Sequence, residues 1–86
     1  MKNITFTYDT VRNGEHGEAC LTLPMFEDDR ALQIQRVATA NPVTLGTGDF
    51  SLYYSIHELL YYAEAMRGRV YTHDSIKTVE LEDVKA

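Results

Sequence analysis

The sequence predicts a small α+β domain: an antiparallel sheet, built from an N-terminal hairpin plus C-terminal strands, packed by one main amphipathic helix and a second, shorter one. Three observations carry that expectation. Apolar and polar residues alternate with a period of two from Asn3 to Val11, the dipeptide Asn13-Gly14 breaks the alternation, and a period near 3.6 governs the stretch from Ser55 to Met66. At 86 residues the chain has room for one core, so residues 1–86 are read as a single domain.

The first strand is the clearest. Ile4, Phe6 and Tyr8 share one face while Thr5, Thr7 and Asp9 share the other. Asn13-Gly14 suits a tight hairpin because both residue types tolerate the positive φ of a type I′ turn. Gly17 leaves room for a longer loop. Ala19, Leu21 and Leu23 then alternate with Cys20 and Thr22 on the returning strand. Pro24, which has no N–H to give to a ladder, ends that strand or puts it at an edge.

Residues 27–40 read in two ways. Asp28 or Asp29 is placed to cap a short helix with Ala31, Ile34, Val37 and Ala38 on one face, whereas Leu32 and Ile34 alternate with Gln33 and Gln35 as in a strand. Acidic residues ahead of Arg30 and Arg36 suit a helix dipole and favour the helix. Asn41-Pro42 closes it, and Val43 to Asp49 reads as a loop punctuated by Gly46 and Gly48. Ser55 with Glu58 three residues later is a capping-box signature that starts the main helix, or the helix begins near Asp49 or Ser51 if Tyr53 and Tyr54 belong to it. Ile56, Leu59, Leu60, Ala63 and Met66 form its apolar stripe, and Gly68 is its natural C-terminal cap. Val70 to Thr72 and Ile76 to Leu81 read as strands around a turn at His73-Asp74-Ser75, and the polar tail Glu82 to Ala86 is expected to fray.

Composition removes several function classes. The net charge is −5, from thirteen acidic and eight basic residues, and only Arg67 and Arg69 lie close together among the latter. Direct nucleic-acid binding needs clustered cations to displace counterions from phosphates, so it is not expected. No run of apolar residues resembles a secretory signal or a bilayer span, which makes a cytoplasmic, soluble protein without a membrane partner the expectation. Cys20, the single cysteine, excludes an internal disulfide and is expected to be a buried, inert thiol.

The catalytic motifs that the sequence approaches fail on their own requirements. Leu45-Gly46-Thr47-Gly48-Asp49 contains G-x-G, but a dinucleotide fingerprint needs a third glycine where Ser51 stands, and no Walker lysine follows. His57-Glu58-Leu59-Leu60-Tyr61 misses the metalloprotease pattern because Tyr61 occupies the place of the second histidine. His16, His57 and His73 fall in three separate segments. They would need to converge with a carboxylate such as Asp74 or Glu64 to hold a metal, so each is read as a solvated histidine. His73-Asp74-Ser75 are neighbours in a turn and cannot form a nucleophilic triad. The expectation is therefore no enzyme, no cofactor and no metal.

Two features remain. Four of the six tyrosines are paired as Tyr53-Tyr54 and Tyr61-Tyr62, and on a helix Tyr54 and Tyr61 share a face with His57 and Glu58 between them. Tyrosine supplies large rigid contact area with a hydroxyl, which suits the centre of a protein interface. Acidic clusters lie at Glu27-Asp28-Asp29 and Glu80-Glu82-Asp83, and each suits a basic partner surface as well as plain solvation. In size, acidity and lack of catalytic residues the chain is similar to many small phage or mobile-element proteins that block a host protein, anti-CRISPR proteins among them. That resemblance rests on composition and architecture and identifies no residue.

Sequence and resemblance together give the expectation of a non-enzymatic protein-binding module, an inhibitor of a nucleic-acid-handling complex. Its contacts would come from Tyr53, Tyr54, Glu58, Tyr61 and Tyr62 with Glu27, Asp28 and Asp29. A self-associating homodimer and a small ligand-binding or enzymatic domain using His57 and Glu58 are the alternatives.

Overall fold

The protein is described by a computed structural model that covers residues 1–84. β1 (Lys2–Arg12) and β2 (Glu15–Phe26) form a long hairpin, followed by α1 (Asp28–Ala38), a 3₁₀ turn (Pro42–Thr44), α2 (Thr47–Met66), β3 (Val70–Tyr71) and β4 (Thr78–Asp83). β1 is the centre of a four-stranded antiparallel sheet. β2 pairs along one of its edges, while β3 (at Thr10 and Val11) and β4 (from Lys2 to Thr7) share the other edge end to end.

The hairpin turn has two residues. Arg12 pairs with Glu15, and Asn13 (φ 52°) and Gly14 (φ 80°) both occupy the left-handed region that a type I′ turn requires. Gly17 adds no slack, because it pairs with Thr10 inside the strand. β2 also runs past Pro24. It is an edge strand that bulges there, with Asn3 opposite both Pro24 and Met25, and Met25 at φ 69° donates its N–H to Asn3 Oδ1.

Ile4, Phe6, Tyr8 and Thr10 face one side of β1, and both helices cover that side. The opposite face carries Thr5, Thr7, Thr22 and Cys20, so Cys20 is exposed and not a buried thiol. Alternation predicts that Cys20 and Leu21 part company; the covering of a single face decides which of them meets water. Core side chains with no exposed surface, such as Ile4, Phe6 and Leu60, each contribute roughly 1.5–3 kcal/mol by leaving water.

Residues 28–38 are helical, with Ala31, Ile34, Val37 and Ala38 buried as the helical reading requires. Neither Asp28 nor Asp29 caps it. Glu27 holds the N-cap position without a side-chain bond, and the two aspartates sit in the first turn, where the helix dipole favours them. Gln35 ties this helix to β4 by donating to the Val79 carbonyl.

α2 begins at Thr47, eight residues before the expected capping box and two before Asp49, the alternative start that goes with Tyr53 and Tyr54 being helical. Gly46 is its N-cap, and the first backbone bond runs from Phe50 N–H to the Gly46 carbonyl. Ser55 is therefore mid-helix, where its hydroxyl donates to the Ser51 carbonyl. Asp49 in the first turn binds Gln33 and Arg36 of α1, a tertiary contact that local sequence cannot reveal. The C-terminus is as expected. Gly68 (φ 75°) follows the last turn, with Gly68 N–H bonded to Ala65 and Arg69 N–H to Glu64, the double closure of a Schellman motif.

Glu82 and Asp83 do not fray. They pair with Asn3 and Lys2 in β4, and Val84 N–H reaches the Met1 carbonyl, while Lys85 and Ala86 lie outside the described residues.

Candidate functional site

The inward face of α2 is not the expected stripe. Ile56 and Leu60 are buried, but Leu59 is half exposed and Met66 almost wholly so, and Tyr53, His57 and Glu64 point into the protein instead. At 100° per residue the buried face is turned roughly 80° from the one the apolar residues define. Each inward polar side chain has partners, and those partners explain the turn.

Glu64 is 0% exposed. One carboxylate oxygen accepts from the Tyr8 hydroxyl at 2.7 Å and from Arg67 at 3.3 Å, and the other accepts from Arg69 Nε at 2.7 Å. Burial, then the Glu64 bond, holds the Tyr8 hydroxyl far above its ordinary range, so it stays a proton donor. Arg67 and Arg69, the one close pair of cations in the sequence, are thus engaged with an internal carboxylate. This centre is closed and fully bonded.

One face-repeat earlier on α2, His57 is 6% exposed, and the reading of it as a solvated histidine is overturned. Its Nδ1 shares a 2.6 Å hydrogen bond with the Tyr71 hydroxyl, which donates to one imidazole tautomer and accepts from the other. Its Nε2 is buried without a hydrogen bond of good geometry. Tyr53 packs on the same ring with centroids 4.2 Å apart and donates its hydroxyl to Asp74 Oδ1. Burial first, and then the charge of His73, lower the pKa of His57, against the opposing pull of Asp74 and of a weak hydrogen bond to the Ala38 backbone. Burial, with the Asp74 bond next, pushes Tyr53 up to about 12.

The β3–β4 connection delivers the remaining members. Thr72 N–H and Lys77 N–H continue the ladder onto the Asp9 and Thr7 carbonyls, and between them Ser75 Oγ accepts from Asp9 N–H at 3.0 Å. Ser75 thus fills in for a strand, and His73 and Asp74 are left to bulge out against α2, Asp74 with φ 59°. His73 Nε2 stands 3.3 Å from Asp74 Oδ2, and the His57 and His73 rings are 5.4 Å apart. His57, His73 and Asp74 each bring one potential ligand atom within 4.8 Å of the others. His16 does not join them; it lies on β2 opposite Val11.

Two depressions meet at Tyr53 and His57. One, of ≈ 320 Å³, opens between the end of α1 and Asp74. The other, of ≈ 410 Å³, is an aromatic groove between Tyr54, Tyr61 and Tyr62 on α2 and His73 at the end of β3. Those three tyrosines are 62%, 52% and 59% exposed, and Glu58 sits among them at the surface. Tyr53 does not reach the surface as they do. Glu58 and His57 point to different sides of the helix, so they do not form a pair. Glu27, Asp28 and Asp29 are exposed at the start of α1 and do not line the groove; Asp28 is bridged to the N-terminal amine at 3.0 Å.

Among the described residues no helix is long and apolar enough to cross a membrane. Comparison with protein-family models, with curated proteins and with solved structures gives no match.

Proposed function

We propose that the protein is a non-enzymatic binding module whose docking surface is the aromatic groove on α2 and whose partner is a basic, nucleic-acid-binding protein. On this reading it acts as an inhibitor in the manner of small phage or mobile-element proteins, anti-CRISPR proteins among them, and works in the cytoplasm. The observation that carries it is the exposure of Tyr54, Tyr61 and Tyr62 on one groove around Glu58. Rigid aromatic area with a polar tip is what interface centres use.

Charge supplies the partner's sign. Lys2, Arg36, Arg67, Arg69 and Lys77 are all held in internal ion pairs. Glu27, Asp29, Glu58, Glu80 and Glu82 have no cation within bridging distance among the described residues. Arg12 and Arg30 are exposed and unbridged as well, but the unbridged acids outnumber them, so the free surface among the described residues is acidic on balance, which steers a basic partner and makes binding weaken with salt.

The test is capture from nuclease-treated source lysate at low and high salt, with the wild type beside a Tyr54→Ser, Tyr61→Ser, Glu58→Gln variant. The expected result is one stoichiometric, basic, nucleic-acid-binding partner that the variant loses and that high salt weakens. A partner retained by the variant, an acidic partner, or a mass in solution that doubles with concentration in place of any partner would contradict the proposal.

A further inference from the structure

We propose that His57, His73 and Asp74 bind a divalent transition-metal ion of the zinc class, with three protein ligands and a fourth position open to solvent or to a ligand. This goes beyond the binding-module reading and does not depend on it.

The donor set selects the ion. Two imidazoles and one carboxylate suit zinc and its neighbours in the first transition row, whereas calcium and magnesium take oxygen ligands. Around a tetrahedral zinc ion, ligand atoms about 2.0–2.1 Å from the metal lie roughly 3.3 Å apart. His73 Nε2 and Asp74 Oδ2 already have that separation, at 3.3 Å. The full set lies within 4.8 Å, so closing the third side asks for a movement of ~1.5 Å. His73 and Asp74 are the members able to make it, since both are exposed and sit on a connection rather than a helix.

The surroundings are those of a ligand set held in place. Metal-bound histidines hand their second nitrogen to a hydrogen-bond partner that fixes the ring, and ligating carboxylates are themselves bonded. Tyr71 holds one nitrogen of His57, and Tyr53 holds Asp74 Oδ1 while Oδ2 faces His73. The other nitrogen of His57 is buried in the same centre without a hydrogen bond of good geometry, the Ala38 backbone being the one weak partner that acts on the ring. A buried nitrogen so weakly served is costly to the fold, and a cation held between His57, His73 and Asp74 offsets that cost. Bound there, the ion would fasten the β3–β4 connection to the middle of α2 beside the aromatic groove.

The test uses the full chain, stripped with a chelator and then titrated with zinc by calorimetry and with cobalt by visible absorption. One-to-one binding is expected, with a melting temperature that rises as the free ion increases, because a ligand of the native state stabilises it. His73→Ala and Asp74→Asn should each abolish the one-to-one event. Both side chains are exposed and asparagine tolerates the left-handed backbone of Asp74, so the metal-free variants should keep the wild-type circular dichroism. Tyr53→Phe should weaken binding roughly 10–100-fold through loss of the outer hydrogen bond. No binding, or binding that His73→Ala leaves unchanged, would overturn the site. Because the titration needs no protein partner, failure of partner capture leaves its outcome untouched.

Discussion

Two polar centres lie inside the same helix face, seven residues apart, and they are built to opposite standards. Around Glu64 every buried polar atom has a partner: Tyr8 and Arg67 serve one oxygen, and Arg69 the other. Around His57 one ring nitrogen is well served and the other is not, and two depressions open beside it. A satisfied buried cluster fixes a single packing arrangement. An incomplete one next to open volume keeps capacity for a ligand. The first centre is scaffold, and the second is the one for which we propose a ligand.

The sharpest way to break that contrast is Arg69→Ala. It leaves the Glu64 carboxylate buried with weakened compensation, and the expected loss is about 3 kcal/mol of unfolding free energy by urea titration. Little change would mean that Arg67 alone suffices and that the centre is less tightly specified. Tyr8→Phe should cost less, about 1–2 kcal/mol, because one hydrogen bond to Glu64 goes while both guanidinium groups stay.

The His57 centre should respond to pH. Its pKa lies below the ordinary 6.5, so at lower pH the unfolded chain takes up a proton that the folded ring resists. Stability from this group is complete above 6.5 and declines as the pH falls through 6.5 towards the lower folded value. Melting temperatures followed from about pH 7 to pH 5 should therefore drop more steeply for the wild type than for His57→Gln. Equal slopes would show that the ring's environment does not penalise its charge. The smallest effect on stability should come from Tyr54→Ser and Tyr61→Ser, each within about 0.5 kcal/mol because both rings already face water. A larger loss would mark those tyrosines as part of the core and remove them from the docking surface.

Much of this architecture is legible in the sequence, and the exceptions share a cause. The hairpin follows from Asn13-Gly14 and the alternation on either side, and the end of α2 follows from Gly68; both are local rules. The start of α2 is not local: Asp49 is held by Gln33 and Arg36 from another helix, so the Ser55–Glu58 signature misplaces it by two turns, while the alternative start near Asp49 comes within two residues of Thr47. The inward face of α2 was hidden for the same reason. Apolar spacing favours Leu59 and Met66, while the structure buries Tyr53, His57 and Glu64 because partners on β1, β3 and the β3–β4 connection meet them there. One signal was present: polar residues at positions 53, 57 and 64 share a face with Ile56 and Leu60. Helical spacing indicates that some of the four paired tyrosines reach the surface, but not that Tyr53 is the one that turns inward. The meeting of His57 with His73 and Asp74 was not readable, since it depends on Ser75 substituting for a strand residue beside Asp9.

The division of α2 into a closed centre and an open one is tested most directly by following the histidine ring nitrogens by nuclear magnetic resonance as zinc is added to the chelator-stripped protein. The account predicts that His57 and His73 shift together and saturate at one equivalent, while His16 and the Tyr8–Glu64 region stay where they are. Unmoved His57 and His73 signals, or a shift confined to His16, would contradict it.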